Sequence, residues 1–175
     1  NDQSFKDELE SKYKNLKCVL SKSNVGMGAG NNIGIRLAKT DYVLLLNPDV
    51  KLESNTLDEL YLASKKISDF SIISPISSNI NFPNYGMFNK GKKTEITHSP
   101  FKVDYVDGFA MLLNKNKFKS EIYFDENFFL YLENNDLCKR VKSYGERIYV
   151  IKNSSIKHLG ASSTSVKFSE KIEYL

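Results

Sequence analysis

The run YVLLLNPDV at residues 42–50 constrains the fold of this chain more than any other stretch. Five apolar residues lead directly into Asn47, Pro48 and Asp49. A strand that is apolar on successive residues is buried on both faces, as in a parallel sheet covered by helices. Ligands of such sheets bind beyond the carboxyl ends of the strands. The run therefore predicts an α/β fold with a polar site at this strand end, although N-P-D is also ordinary turn chemistry.

Strand and helix patterns alternate along the rest of the chain, which favours one α/β domain over residues 1–175. Further strands are predicted at residues 17–21, 71–76, 103–115 and 147–152. Helices are predicted within the glycine-rich stretch at 24–40, at 56–67 and at 132–145, the last one ended by Gly145. Residues 77–100 and 154–165 are predicted to be loops.

Two of these helices carry more detailed predictions. Thr56 and Glu59 have the spacing of a capping box. The buried stripe of the helix at 56–67 is predicted to consist of Leu57, Leu60, Tyr61 and Ile67. The apolar side of the helix at 132–145 is predicted to consist of Leu137, Val141 and Tyr144.

Composition excludes several classes of function. The 25 basic and 21 acidic residues are interspersed, without the dense basic block of a nucleic-acid-binding protein. Cys18 and Cys138 lie far apart, which predicts free thiols in a reducing compartment. The longest apolar runs are too short to span a bilayer, so we predict a cytoplasmic domain.

Three further features are ambiguous by themselves. The glycines of residues 26–34 match neither nucleotide-binding fingerprint, and they would pack against a phosphate or against the sheet. Glu133 and Asp136 share one side of a helix, where either carboxylate is a candidate general base. Asp136 also has the spacing of an ordinary ion pair with Arg140, and Glu133 could simply favour the helix dipole. His158 is a candidate metal ligand, although a lone histidine is more often structural.

The order of these segments resembles the inverting glycosyltransferases of family 2, which have the GT-A fold, and especially their bacterial rhamnosyltransferase-like branch. The matching segments are SNVGMGAGNNIGI, DYVLLLNPDV, VDGFAMLLNK, FDENFFLYLENNDLCKR and IKHLGASS, which together extend from about residue 16 to residue 165. The resemblance implies a Rossmann-like, mostly parallel sheet flanked by helices. It also implies transfer of a sugar from a UDP- or dTDP-sugar donor to a cell-surface glycan or lipid-linked acceptor, as in polysaccharide biosynthesis.

The resemblance also implies roles for individual residues. The NPD tripeptide is similar to the D-x-D metal motif of the family, so Asp49 and His158 would hold Mg²⁺ or Mn²⁺. Asn47 would take the place of the first aspartate and contribute more weakly or through water. The remaining donor-binding residues would be Asn24, Gly26, Asn32, Asp107 and Gly108.

The chain departs from the family pattern at the general base. The usual stretch is E-D-x-D with its second residue as base, whereas this chain reads Glu133-Asn134-Asn135-Asp136. Either Glu133 or Asp136 would then serve as the base, and Asp136 is the one we favour. Asn134 also supports the alternative of a catalytically inactive binding module. A glycoside hydrolase is disfavoured, because carboxylates on one helix turn do not face each other across a glycosidic bond.

The beginning of the chain is a second departure. Members of the family open with a strand and an acidic turn that bind the nucleotide base, whereas residues 1–16 resemble the helix that follows that strand. We therefore expect a partial domain that lacks its first strand. Membrane association in this family often depends on segments outside the domain, so peripheral contact of the full-length protein with the inner face of the membrane stays open.

Overall fold

The computed structural model describes residues 2–79, 83–88, 95–118 and 122–158. Its elements run in the order α1 (Gln3–Lys12), α2 (Met27–Leu37), β1 (Tyr42–Leu46), β2 (Val50–Leu52), α3 (Thr56–Lys66), β3 (Phe70–Ser77), β4 (Tyr85–Gly86), β5 (Phe101–Val103), β6 (Tyr105–Val106), β7 (Ala110–Asn114), a 3₁₀ turn (Lys115–Lys117), α4 (Glu133–Ser143) and β8 (Arg147–His158). The predicted α/β class is confirmed.

The main sheet has the strand order β1-β7-β3-β8-β2, and β5 pairs with β8 as well. The β3–β8 pair is parallel, while β1–β7, β3–β7, β2–β8 and β5–β8 are antiparallel. The predicted sheet was mostly parallel, and the observed sheet is mixed. Because β7 is inserted antiparallel between β1 and β3, the strands β1, β3 and β8 still run in one direction. Their carboxyl ends therefore lie at the same edge, as the argument for a strand-end site requires.

Helices cover both faces of this sheet. One core cluster lies with α2 and α4, and its fully buried members include Ile35, Ile72, Leu113, Leu137 and Ile148. The second cluster lies with α3 and includes Leu60, Ile67, Phe70 and Ile73. The sheet is therefore the middle of three layers, which explains why its strands are apolar on both faces.

The strand predicted at residues 17–21 is wrong, because this stretch forms no ladder with a described strand. The backbone N–H of Cys18 instead donates to the Glu10 carboxylate at 2.7 Å. Residues 154–158 were predicted to be loop, but they belong to the twelve-residue strand β8. Pairing of this segment with β2 and β3 supplies the backbone hydrogen bonds that its polar sequence did not suggest.

Details of two helices also differ from prediction. No capping box forms in α3, since the buried Thr56 hydroxyl donates to the carbonyl of Ser155 at 2.6 Å and so ties the helix to β8. Leu57 and Tyr61 are 52% and 61% exposed, so they lie outside the predicted stripe. In α4, Leu137 and Val141 are buried as predicted, whereas Tyr144 is half exposed. Gly145 follows this helix with a φ of +78°, as its predicted role in ending the helix requires.

Both cysteines are free thiols, as predicted. Among the described helices, none combines the length and apolar character that crossing a membrane requires. Part of the loop predicted at 77–100 and everything after residue 158 lie outside the described residues.

Candidate functional site

The turn at residues 107–109, between β6 and β7, joins the elements that form the candidate site. The Phe109 carbonyl accepts a hydrogen bond from the backbone N–H of Asn47 at 3.0 Å. The Phe109 ring stacks on the His158 imidazole, with ring centroids 4.1 Å apart and planes inclined by 14°. This turn therefore holds the residues that follow β1 beside the end of β8.

The other side of the same turn meets the first residues of α2 and α4. A side chain at Gly108 would place its Cβ 2.4 Å from Met27 Cε and 3.5 Å from Asn134 Cβ. The first distance is far below a normal contact, so only glycine fits here without movement of Met27. Asn134 also donates its amide to the Val106 carbonyl at 3.2 Å.

A carboxylate and an imidazole meet at the carboxyl edge of the sheet. Asp49 Oδ2 lies 3.2 Å from His158 Nε2. The antiparallel pairing of β2 with β8 sets Val50 opposite His158 and so brings the residue before Val50 to the imidazole. Residues that are 109 positions apart in the sequence are thereby placed in contact by strand register.

Asp107 lies within electrostatic reach of this pair. Burial raises the pKa of the Asp107 carboxyl, and the neighbouring His158 opposes that shift. The side chain is thus a second acidic group near His158.

Two side chains at this edge, those of Asp49 and His158, are candidate ligands for a divalent cation. Among the described residues, no group of three or more histidine, cysteine or acidic side chains converges on one point. Asp49 would supply a carboxylate oxygen and His158 an imidazole nitrogen. Mg²⁺ is usually held by one or two carboxylates together with substrate phosphates and water, so a two-residue set leaves room for both.

The start of α2 is shaped by a turn that only glycine allows. Gly26 has a φ of +82°, and a Cβ there would lie 2.2 Å from the Phe129 carbonyl oxygen. Its N–H donates to the Asn24 side chain at 3.1 Å, and the next N–H, that of Met27, donates to the Phe129 carbonyl at 3.1 Å. Asn24 itself is exposed. These contacts fasten the chain before α4 to the first turn of α2.

Asn32 is buried and already engaged with another part of the chain. Its amide donates to the Phe124 carbonyl and to the Glu126 carboxylate, both at 2.9 Å, and its oxygen accepts from the Phe124 N–H at 3.0 Å. Its side chain therefore positions residues 124–126, and donor contact would require these bonds to break.

The two carboxylates at the start of α4 have different surroundings. Asp136 accepts from Arg140 Nε at 2.7 Å, which is the helical ion pair that its spacing allowed. Glu133 is only 4% exposed, and its Oε2 has no hydrogen-bond partner among the described residues. Burial raises the pKa of Glu133. Asp136 is thus held by a cation, whereas Glu133 is enclosed with an oxygen that no described residue bonds.

Sequence patterns missed several residues that build this site. Neither Phe109 nor Met27 was a candidate from the sequence. Only the fold shows that Phe109 stacks on His158 and that Met27 lies against Gly108. Tyr131 and Leu132 adopt positive φ angles of 68°, which nothing in their residue types predicts.

Comparison with known proteins places the chain in a family. The sequence model described as Glycosyl transferase family 2 matches residues 1–122. The chain belongs to this family. It is 29% identical over 161 residues to the low-salt glycan biosynthesis hexosyltransferase Agl10 of Haloferax volcanii, covering 81% of this chain and 52% of the relative. It is also 29% identical over 152 residues to the rhamnosyltransferase WbbL of Escherichia coli, covering 72% of this chain and 58% of the relative. The family 2 chain thus spans about half the length of these relatives.

Solved structures support the same fold. A crystal structure of GalNAc-T7 with UDP, GalNAc and Mn²⁺ superposes with a TM-score of 0.66 at 14% identity, covering 90% of this chain and 36% of that one. The S. aureus TarS 1-349 structure in complex with UDP superposes with a TM-score of 0.58 at 18% identity, covering 89% and 46%. These likenesses establish the GT-A fold of the family 2 chain.

Proposed function

We propose that this family 2 chain transfers a sugar from a nucleoside-diphosphate donor to a hydroxyl of a glycan or lipid-linked acceptor, with inversion at the anomeric carbon. The observation that carries the proposal is the contact between Asp49 and His158 at the carboxyl edge of the sheet. The neighbouring Asp107 and Gly108 and the first turn of α4 complete one continuous site. A hexosyltransferase and a rhamnosyltransferase among the relatives support sugar transfer.

On the donor side, Asp49 and His158 would hold Mg²⁺ or Mn²⁺. When bound, the cation neutralises charge on the departing diphosphate. Gly26 and Gly108 let Phe129 and Met27 approach the two turns that border the site, while Asn24 and Asp107 would provide polar groups to the donor. Asn47 fixes the turn through its backbone, and Asn32 acts indirectly by holding residues 124–126. A GT-A structure containing UDP and Mn²⁺ supports this assignment, and UDP and dTDP are both candidate nucleotides.

On the acceptor side, Glu133 would take the proton of the attacking hydroxyl. That oxygen bonds to the anomeric carbon as the bond to the diphosphate breaks. A carboxylate with a raised pKa is better matched to proton transfer near neutral pH than an ordinary one. Asp136, the residue favoured from the sequence, is committed to Arg140. We therefore assign catalysis to Glu133 and a structural role to Asp136.

An inactive binding module is the second candidate, and Asn134 supports it. This asparagine lies beside Gly108, where the family pattern has its base, and an amide does not accept a proton usefully. Under this alternative, Asn134→Asp would create turnover that the wild type lacks. Under our proposal, the wild type already turns over, and Glu133→Gln stops it.

Calorimetric titration of UDP and dTDP, with and without Mn²⁺, tests the donor site. We expect one nucleotide to bind in a Mn²⁺-dependent way, and we expect Asp49→Ala to weaken binding by at least about tenfold because a charged ligand is lost. Asp58→Ala is the matched control, since Asp58 lies in the first turn of α3. Equal affinity with and without metal would overturn the metal assignment. Metal-dependent binding without any transfer to acceptor sugars would favour the inactive module.

A further inference from the structure

An exposed apolar surface lies directly before Glu133. It consists of Phe129, Tyr131 and Leu132, which are 37%, 37% and 50% exposed, and we call it the aromatic surface. Their sequence, a dense apolar run, reads as core. Apolar side chains that are exposed together beside a polar site are typical of ligand contact.

The backbone of this segment is held in an unfavourable conformation. Tyr131 and Leu132 both have a φ of 68°, in the left-handed region that residues with large side chains rarely adopt. Strain of this kind persists only where surrounding contacts enforce it, and it concentrates at functional sites. Here the Phe129 carbonyl is held by the Met27 N–H at 3.1 Å, and the Leu132 carbonyl accepts from the Asp136 N–H at 2.9 Å. These two hydrogen bonds fix the backbone on either side of Tyr131.

The aromatic surface adjoins both halves of the proposed site. Leu132 immediately precedes Glu133, the assigned proton acceptor. Phe129 is bonded to Met27, whose side chain packs against Gly108. The aromatic surface is thus linked through the backbone both to the assigned proton acceptor and to the turn at Gly108.

We propose that the aromatic surface binds a pyranose ring of the acceptor and helps to select it, an inference that rests on the proposed sugar transfer. Two of its three residues are aromatic, and the flat face of such a ring packs well against the C–H groups of a sugar, while the Tyr131 hydroxyl can bond to a sugar hydroxyl. The acceptor must present a hydroxyl to Glu133, and the aromatic surface is the part of the chain that leads directly into this residue. These features favour a sugar over a lipid chain, which needs no aromatic or hydroxyl group.

Saturation-transfer NMR with methyl glycopyranosides of rhamnose, glucose, galactose and N-acetylglucosamine tests this proposal, with and without UDP and Mn²⁺. The key variant is Tyr131→Asn, because asparagine tolerates a positive φ and should fold at least as well. Tyr131→Phe retains the ring. Tyr61→Asn is the matched control, because Tyr61 is 61% exposed on α3, which covers the other face of the sheet.

We expect at least one glycoside to receive saturation, with affinity about two- to tenfold lower in Tyr131→Asn. The loss should be smaller in Tyr131→Phe, which keeps the ring without the hydroxyl, and the affinity should be preserved in Tyr61→Asn. The proposal would be overturned if the wild type bound no glycoside, or if it bound the glycoside no more tightly than Tyr131→Asn does. Displacement of the glycoside from this surface by a short-chain prenyl phosphate would overturn it as well. The affinity for UDP with Mn²⁺, measured on the same samples, reports the donor site separately. If the wild type does not bind UDP with Mn²⁺, that result counts against the proposed function. The glycoside result would still test the role of the aromatic surface.

Discussion

Glu133 and Asp136 lie three residues apart on the first turn of one helix, yet they have opposite surroundings. Asp136 is bonded to Arg140, which in turn donates to the Tyr123 carbonyl at 2.5 Å. Glu133 faces the first turn of α2, where a Cβ added at Gly28 would lie 3.6 Å from the Glu133 Cβ. One carboxylate is thus held by a cation, while the other is enclosed with an oxygen that no described residue bonds.

This difference shows how packing gives two carboxylates on the same helix turn different hydrogen-bond partners and different degrees of burial. An ion pair satisfies a carboxylate and fixes its direction, so Asp136 helps to hold residues 122–123 through Arg140. An enclosed carboxylate without a cation prefers its proton, and it becomes a competent acceptor only near the pH at which that proton leaves. Helical spacing made both residues candidates, and their neighbours made them different.

The largest expected effect follows replacement of Glu133. We expect Glu133→Gln to lower the rate of sugar transfer by about 10²- to 10⁴-fold, the usual contribution of a general base, with UDP and Mn²⁺ binding unchanged. Transfer assays with the donor nucleotide identified by calorimetry would measure it. If Asp136→Asn caused the larger loss and Glu133→Gln had little effect, the assignment of the base would have to be reversed.

A second expected effect concerns stability as a function of pH. Burial raises the pKa of the Glu133 carboxyl above its value in the unfolded chain. The contribution of this carboxyl to stability is therefore fully present below the unfolded pKa, and it is lost as pH rises through the folded pKa. Glu133→Gln should therefore be more stable than the wild type at about pH 8 and no more stable at about pH 4. Urea unfolding at both pH values measures this. A stability difference that is independent of pH would show that Glu133 is not enclosed as described.

The smallest effect is expected for Asp136. The Asp136–Arg140 pair is about one-quarter exposed on each side, so its loss in Asp136→Asn should cost only about 0.3–1 kcal/mol of unfolding free energy. Transfer should fall by less than about tenfold, because the pair only positions other residues. Arg140→Lys is the matched control, since it keeps the charge while losing the planar guanidinium. A loss in Asp136→Asn as large as that in Glu133→Gln would place Asp136 in the chemistry.

Several features of this fold could be predicted from the sequence because they depend on local patterns. The apolar run at residues 42–46 specified a buried strand, and the N-P-D that follows it specified a turn. Gly145 specified the end of α4. The order of short motifs indicated the family, and the family model confirmed it. Each of these signals depends on neighbouring residues, whose conformational preferences act over a few positions.

Other features depended on contacts between segments that lie far apart in the sequence. Residues 154–158 form a strand because β2 and β3 lie beside them, whereas residues 17–21 lack a described neighbour and form none. Leu57 and Tyr61 have helical spacing for burial, but α3 turns its other side chains to the sheet.

The sequence by itself determined which residues could serve the site: Asp49, His158, Asp107, Glu133 and Asp136 were all candidates. Only the tertiary structure decided that Asp49 meets His158, that Asp136 belongs to Arg140 and that Glu133 is enclosed. The reason is physical. The ionisation and availability of a side chain depend on its desolvation and on charges within a few ångströms, and strand register and helix packing bring those neighbours from distant parts of the chain.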